Sequence, residues 1–550
     1  MKRALLLGFM TAMFATPLPA QSTDSTLTRR VDSVFATFAR TNTPGCAVGI
    51  DRGGSPLLRR AYGMANLETG TVFTTNTISE SGSVAKQFVA ASLVLLALDG
   101  KLLLDDDIVK WIPEVAKLGK RITIRHLLSH TSGLPDRYLL HEMEGNPAGE
   151  VDHPNAEVMD VVSRLRELNF DPGADYLYSN TGYVVAVAVL ERVSGQTLQE
   201  FTQARIFGPL GMTDARWRED HRTVVPRRAS AYSGTLATGF RNDHPFTRVF
   251  GSGGLLVTVD DFLKWSNAMQ QGTGQWGAVR DSLSGVIRLN DGTAITYGLG
   301  VTTDTWRGVR RVSHTGSTGG YRSALYRFPD QHVSVALLCN VGSLVPAALA
   351  TSVATIVLGS ALAPVVADAT PAISVSAETL AGIVGAYRAP RTEQVLILAV
   401  RNGNLVDSLG GTVYLARGAG HFRARNGNVD LRVTGNGTNV RLRREAPDER
   451  AIEYERVDRP PMTAALATTY AGSYRSPELT SRLNIVARGD TLLFDNGWRG
   501  QEILRPLFRD GFRNGGNVIR FTRDQRGRIT GFVIWAGRVR HLQFEKDVMR

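Results

Sequence analysis

Apolar and polar residues follow two rhythms along this chain of 550 residues, and the change falls near residue 370. Between 27 and 360, segments with helical spacing alternate with short apolar runs. Residues 84–98 and 183–193 place apolar side chains where a packed helix needs them. Gly100 and Gly195 stand just past the last apolar positions, where a helix end favours a left-handed residue. Residues 46–51 and 333–340 read as strands near the two ends of this region. The mixture predicts one large α/β (α+β) domain, a sheet packed by helices.

Beyond it the texture changes. Residues 361–376, rich in Ala, Pro, Val and Ser, read as a linker. Short alternating segments follow, such as 395–400 and 483–487, broken by Asn-Gly, Gly-Asn and Arg-Gly pairs, which is an antiparallel β signature. This tail repeats itself. Gly-Ala-Tyr-Arg-Ala-Pro at 385–390 aligns with Gly-Ser-Tyr-Arg-Ser-Pro at 472–477, an offset of 87, and Leu396/Leu483, Leu398/Ile485 and Leu405/Leu492 keep the same offset. Matching at alternate positions is what one buried strand face requires. Two small β-domains, 377–457 and 463–550, are expected, each a closed barrel of about eight strands so that no edge is exposed.

Composition excludes little beyond the extremes. With 43% hydrophobic and 21% charged residues, the chain is neither disordered nor fibrous. Residues 1–20 resemble a secretory signal: Lys2 and Arg3, an apolar run from Ala4 to Phe14, then a small-residue end. We therefore expect an exported protein, periplasmic or extracellular, with no transmembrane segment once the signal is removed. Export makes nucleic acid an unexpected partner despite a net charge of +12. Residues 371–550 carry +10 of that charge, suited either to an envelope polymer or, the preferred reading, to an Arg-rich solvated surface. The two cysteines, Cys46 and Cys339, are expected to be separate buried thiols, although export permits a disulfide. No Cys/His spacing suggests a metal, and no cofactor is implied.

Lysine is scarce: eight, against 55 arginines. One of the eight forms Ser83-Val-Ala-Lys86, where an apolar helix begins. Residues i and i+3 share a helix face, so the Lys86 amine can lie beside the Ser83 hydroxyl and activate it as a nucleophile. Tyr178-Ser-Asn180 precedes the second helix. A tyrosine held near two cations would have a lowered pKa and could serve as base and then acid, while Asn180 offers an amide to a substrate carbonyl. His314-Thr315-Gly316-Ser317 combines a strand edge with small residues against which a substrate backbone could pair. Each motif alone is weak. His130-Thr-Ser-Gly133 mimics the third but lies before Tyr178 and is read as a structural loop.

Their order within one domain changes the reading. Residues 27–360 resemble the class C β-lactamase-related serine hydrolases, a family that includes penicillin-binding peptidases, D-aminopeptidases and esterases. Residues 122–135 (ITIRHLLSHTSGLP), 178–183 (YSNTGY), 206–212 (IFGPLGM) and 251–255 (GSGGL) carry the resemblance further. The resemblance implies an antiparallel sheet packed by helices. It makes Ser83 the acylated nucleophile, Lys86 its activator and Tyr178 the general base and acid. It gives substrate binding to Asn180, His314, Thr315, Gly316 and Ser317, with the N–H groups of Ser83 and Ser317 as oxyanion hole.

One departure matters: the third motif is commonly Lys-Thr-Gly in true β-lactamases, where this chain has His314-Thr-Gly. A neutral imidazole holds a substrate carboxylate less well. The resemblance therefore implies a peptidase or amidase acting on D-amino-acid-containing peptides, ahead of an esterase or a β-lactamase. A catalytic domain followed by two barrels is also similar to the layout of bacterial D-aminopeptidases. The rival reading is an inactive envelope-binding or sensor protein.

Overall fold

Strand β1 (Cys46–Arg52) is buried along all but its last residue, and its alternate side chains enter two different cores. Ala47 faces one; Cys46, Val48 and Ile50 face the other. This is the period-two signature of a sheet covered on both faces. The computed structural model describes residues 25–146, 151–365, 372–427, 429–446, 450–497 and 500–547. The signal-like segment 1–20 lies outside these residues.

With β2 (Ser55–Tyr62), β3 (Thr302–Trp306), β4 (Val309–Thr318), β5 (Tyr321–Phe328) and β6 (Val333–Cys339), β1 forms a six-stranded sheet. Its order is β3-β4-β5-β6-β1-β2, antiparallel throughout. Strands from the two ends of the domain thus meet at the β1–β6 pair. Helices α1 (Ser25–Val34) and α6 (Pro346–Leu358) contribute Val31, Val353 and Ala354 to one face. On the other lie α2 (Lys86–Leu98), α4 (Asn180–Ser194) and α5 (Val259–Gln271), with the short α3 (Arg137–Met143) farther along the chain from α2. Every residue of α2 from Lys86 to Leu96 is buried, and all of them except Lys86, Gln87 and Ser92 are apolar, as a core helix requires. Gly195 caps α4 at φ +69°.

The cysteines correct one expectation. Cys46 and Cys339 are directly opposed in the β1–β6 register and form a disulfide, with Cα atoms 4.1 Å apart. Sequence reading treated them as separate thiols because two cysteines in a large domain are more often unpaired and sequence does not give the distance between positions 293 apart. Only closure of the sheet brings them together.

Two closed eight-stranded barrels follow, Gly385–Val457 and Gly472–Lys546, each entered through a short helix. The repeat is visible in detail. Tyr387 and Tyr474 occupy equivalent first strands, are fully buried, and each donates its hydroxyl to a helix carbonyl four residues back, Ile383 or Tyr470, at 2.6 Å. Leu396/Leu483, Leu398/Ile485 and Leu405/Leu492 are all buried.

The second barrel docks firmly on the first domain, and its buried aromatic interior joins the same apolar core as α2 and α4. Polar contacts fix the joint. Glu478 accepts the N–H groups of Arg166 and Glu167, Asn169 bonds the backbone of Arg538 and Arg540, and Asp175 takes Arg391 of the first barrel and Arg540 of the second. Burying the Glu478 carboxylate costs free energy unless such donors surround it. Among the described residues no helix is long and apolar enough to cross a membrane.

Candidate active site

Ser83 sits in a 3₁₀ turn, Gly82–Ala85, that runs directly into α2. The turn is clamped between strands by glycines. A Cβ on Gly82, whose φ is +50°, would meet the Ser317 nitrogen at 2.6 Å, and one on Gly316 would meet the Ser81 carbonyl at 2.0 Å. Only glycine permits this approach. It sets the Ser83 turn against the edge of β4, beside the Ser317 N–H. Ser323 also donates to the Ser81 carbonyl at 2.5 Å.

Lys86, wholly buried, points its Nζ at three acceptors: Ser83 Oγ (3.2 Å), Asn180 Oδ1 (2.9 Å) and the Ser252 carbonyl (2.5 Å). Burial holds its pKa well below the usual lysine value; nearby Asp136 opposes the shift, while Arg538 and Arg137 add to it. Two of its acceptors, the amide oxygen and the carbonyl, can only accept. A neutral Lys86 therefore spends both N–H groups on them and leaves its lone pair toward Ser83. This arrangement depends on the direction of the Asn180 amide. Asp136 Oδ2 settles it by accepting both the Asn180 backbone N–H (2.8 Å) and Nδ2 (2.9 Å). The same carboxylate caps α3 through the Tyr138 N–H.

Tyr178 lies within the predicted pair of cations: Lys86 Nζ is 4.8 Å and Arg538 Cζ 4.6 Å from its ring centroid. The expected lowering of its pKa is not found. Burial dominates and pushes the phenol above its usual value, while the nearby Ser83 hydroxyl and Arg538 only partly offset this. Burial thus biases both the Lys86 amine and the Tyr178 phenol toward their neutral forms. His130, from the loop read as structural, supports the ring. Its imidazole lies 4.0 Å from the Tyr178 ring, and its Nδ1 accepts the Ser179 N–H at 3.1 Å.

His314 is enclosed. Its Nδ1 faces the Thr315 carbonyl at 2.6 Å, so that nitrogen carries the proton, and Nε2 accepts from the Tyr297 hydroxyl at 2.9 Å. Burial, with Lys86 adding to it, lowers its pKa to about 4, which leaves it neutral at pH 7. With both ring nitrogens engaged, His314 acts on the shape of the cleft rather than as a cation. Ser83, Tyr178, Asn180, His314, Thr315, Gly316 and Ser317 all line one cavity of about 360 Å³. The structure thus gathers every predicted site residue except Lys86 at one cavity wall, with Lys86 directly behind Ser83.

Sequence reading missed four contributors: Asp136, Arg137, Ser252 and Arg538. Ser252 contributes through its carbonyl, which no residue type signals. Asp136 follows Leu134-Pro135 as a helix cap, but nothing in the chain ties it to Asn180. Arg538 belongs to the hairpin between the last two strands of the second barrel and enters the cavity from a separate domain.

Residues 28–356 match the β-lactamase family. The D-aminopeptidase of Brucella anthropi is 26% identical over 536 residues, covering 94% of this chain and 98% of its own, barrels included. Penicillin-binding protein 4* of Bacillus subtilis is 30% identical over 57% of this chain and 71% of its own. Among solved structures, the octameric penicillin-binding protein homologue from Pyrococcus abyssi shares the fold, with 21% identity and a TM-score of 0.55, over 87% of this chain and 99% of its own. The D-amino acid amidase from Ochrobactrum anthropi SV3 shares the fold over 60% of this chain and 98% of its own, with 23% identity and a TM-score of 0.51. The matched span covers more than half of the chain and contains every residue of the Ser83–Lys86–Tyr178 constellation: the protein belongs to the β-lactamase family and is a serine hydrolase.

Proposed function

We propose that this protein is an exported amidase or peptidase that cleaves D-amino-acid-containing substrates through a Ser83 acyl-enzyme. The observation that carries the reading is the buried Lys86 amine, 3.2 Å from Ser83 Oγ and flanked by two neighbours, the Asn180 amide oxygen and the Ser252 carbonyl, that can only accept. In the proposed sequence Lys86 takes the Ser83 proton as Oγ attacks the substrate carbonyl. The N–H groups of Ser83 and Ser317 face the developing oxyanion, which is where fixed donors lower the barrier most. Tyr178, protonated and facing Ser83, delivers a proton to the leaving amine, and Lys86 restores it to the phenol. Water then attacks the ester with the same groups acting in reverse. Because Lys86 and Tyr178 share protons, the two titrate as a pair.

Support for a D-configured amide over a β-lactam comes from two sources. The D-aminopeptidase relative matches through both barrels, and His314 supplies no cation for a β-lactam carboxylate. The test is turnover of D-alanine p-nitroanilide beside its L-isomer, penicillin and p-nitrophenyl acetate. D-selective hydrolysis absent from Ser83→Ala supports the reading. Preference for the acetate or the L-anilide would replace it with an esterase or an L-peptidase.

A further inference from the structure

Away from Ser83, the described residues bring three metal-ligating side chains together, His141, His153 and Glu157, with one ligand atom from each within 4.8 Å of the others. His141 stands in the last turn of α3. His153 and Glu157 lie four residues apart across the start of the helix Asn155–Arg164, so that they share a face. The two imidazoles are almost wholly buried, at 2% and 1% exposure, with ring centroids 4.3 Å apart. His141 Nε2 is enclosed and has no hydrogen-bond partner. His153 Nε2 is 3.0 Å from the Asn146 carbonyl, which can only accept, so this nitrogen carries the hydrogen of the neutral ring. Its Nδ1 then turns a lone pair on the Glu157 carboxylate at 2.6 Å.

Three lone pairs thus converge with no hydrogen between them to share, and a buried polar atom left unpaired is costly. A divalent cation satisfies all three at once. We propose that His141 Nε2, His153 Nδ1 and the Glu157 carboxylate bind a zinc ion, with the fourth tetrahedral position left to solvent. Two imidazoles and a carboxylate are a donor set that zinc favours. The hydrogen bond from His153 Nε2 to a backbone carbonyl is the outer contact that orients a metal-bound histidine. Glu157 is half exposed and has room to turn. Its contact with Nδ1 can therefore open to the ~3.3 Å that two ligands about 2.0–2.1 Å from zinc keep in a tetrahedron. Of the cations that act on His141, Arg164 is paired with Glu144 and Asp160, and Arg137 lines the active-site cavity. The ion would staple α3, whose cap Asp136 holds Asn180, to the segment whose His153 carbonyl accepts the Arg248 N–H (2.9 Å) and the Thr247 hydroxyl (3.1 Å). Thr247 belongs to the cavity wall, so the ion steadies the cleft from behind, and no step of hydrolysis passes through it.

The experiment uses the full-length protein, treated with EDTA and freed of the chelator, then titrated with zinc chloride in a calorimeter. One equivalent should bind at micromolar zinc or below, and the bound ion should raise the melting temperature. Cobalt(II) in its place should give the visible absorption bands of a tetrahedral site. His141→Gln and His153→Gln should each weaken binding by at least about 100-fold and Glu157→Gln by at least about tenfold, since losing a ligand costs no less than losing its outer partner. Glu157 is half exposed, so its variant reads the site even if a buried histidine variant fails to fold. His421→Gln, beside Asp430 in the first barrel, should bind zinc as the wild type does. No uptake at micromolar zinc, or uptake unchanged in Glu157→Gln, overturns the proposal. Binding is read without substrate, so this failure is distinct from an absence of Ser83-dependent turnover.

Discussion

The Asp136 carboxylate grips Asn180 twice, by its backbone N–H and by its side-chain amide, and so turns the amide oxygen toward Lys86. A residue that touches neither Ser83 nor any other nucleophile thereby decides where the lysine lone pair points. Asp136→Asn removes that constraint and also the one nearby charge that raises the Lys86 pKa. We expect turnover to fall by about 10–100-fold, since positioning errors of an ångström have effects of this size. The acid limb of the kcat/KM profile should move to lower pH, because an amine without its counter-ion loses its proton more readily. A limb that stays in place would remove Lys86 from the role of first base.

Lys86→Ala and Tyr178→Phe should each lower kcat by about 10²–10⁴, the usual range for acid–base groups. They should differ by leaving group. Tyr178→Phe is expected to spare esters relative to amides, because an alkoxide or phenoxide departs without protonation more easily than an amine. Steady-state rates on matched D-alanine ester and anilide substrates make the comparison; equal losses on both would mean that Tyr178 does not serve the leaving group.

His314 makes stability sensitive to mild acid. Its pKa falls from the ordinary 6.5 in the unfolded chain to about 4 when folded. Between those values the unfolded chain binds the extra proton and the folded protein does not. The contribution is therefore complete above about pH 6.5 and is lost as pH falls toward 4, with a slope of about 1.4 kcal/mol per pH unit. Urea midpoints at pH 7.5 and 5 should converge in His314→Gln relative to wild type, in which the gap is wider.

The disulfide predicts a chemical result. Intact Cys46–Cys339 leaves no titratable thiol after denaturation without reductant, and Cys46→Ser should cost about 2–5 kcal/mol, the range for closing a long loop. Two free thiols in the purified, denatured protein would contradict the pairing.

Removing residues 371–550 should do more than detach two accessory barrels. The cut exposes the apolar core that the second barrel shares with α2 and α4, and strips Arg391 and Arg540 from Asp175. The truncated catalytic domain is expected to be poorly soluble and to melt well below the full chain. A monomeric truncation with an unchanged melting temperature would show the joint to be dispensable.

Local chemistry was readable from the chain wherever it depends on neighbours in sequence. Ser83 and Lys86 share a face because they stand three positions apart on continuous helical turns. The strands of both barrels show themselves by alternate apolar positions, and the 87-residue repeat carried through to Tyr387 and Tyr474. What needed the tertiary structure was every contact between distant segments. Cys46 meets Cys339 only when the two ends of the domain pair as adjacent strands. The Tyr178 pKa followed burial rather than the two cations that sequence suggested, because desolvation is set by the whole surrounding fold. Ser252 acts through a carbonyl that any residue would supply, and Arg538 arrives from a barrel hairpin 360 residues beyond Tyr178. A motif records which groups the chemistry requires; packing alone determines which of them lose their water, and so which can exchange a proton.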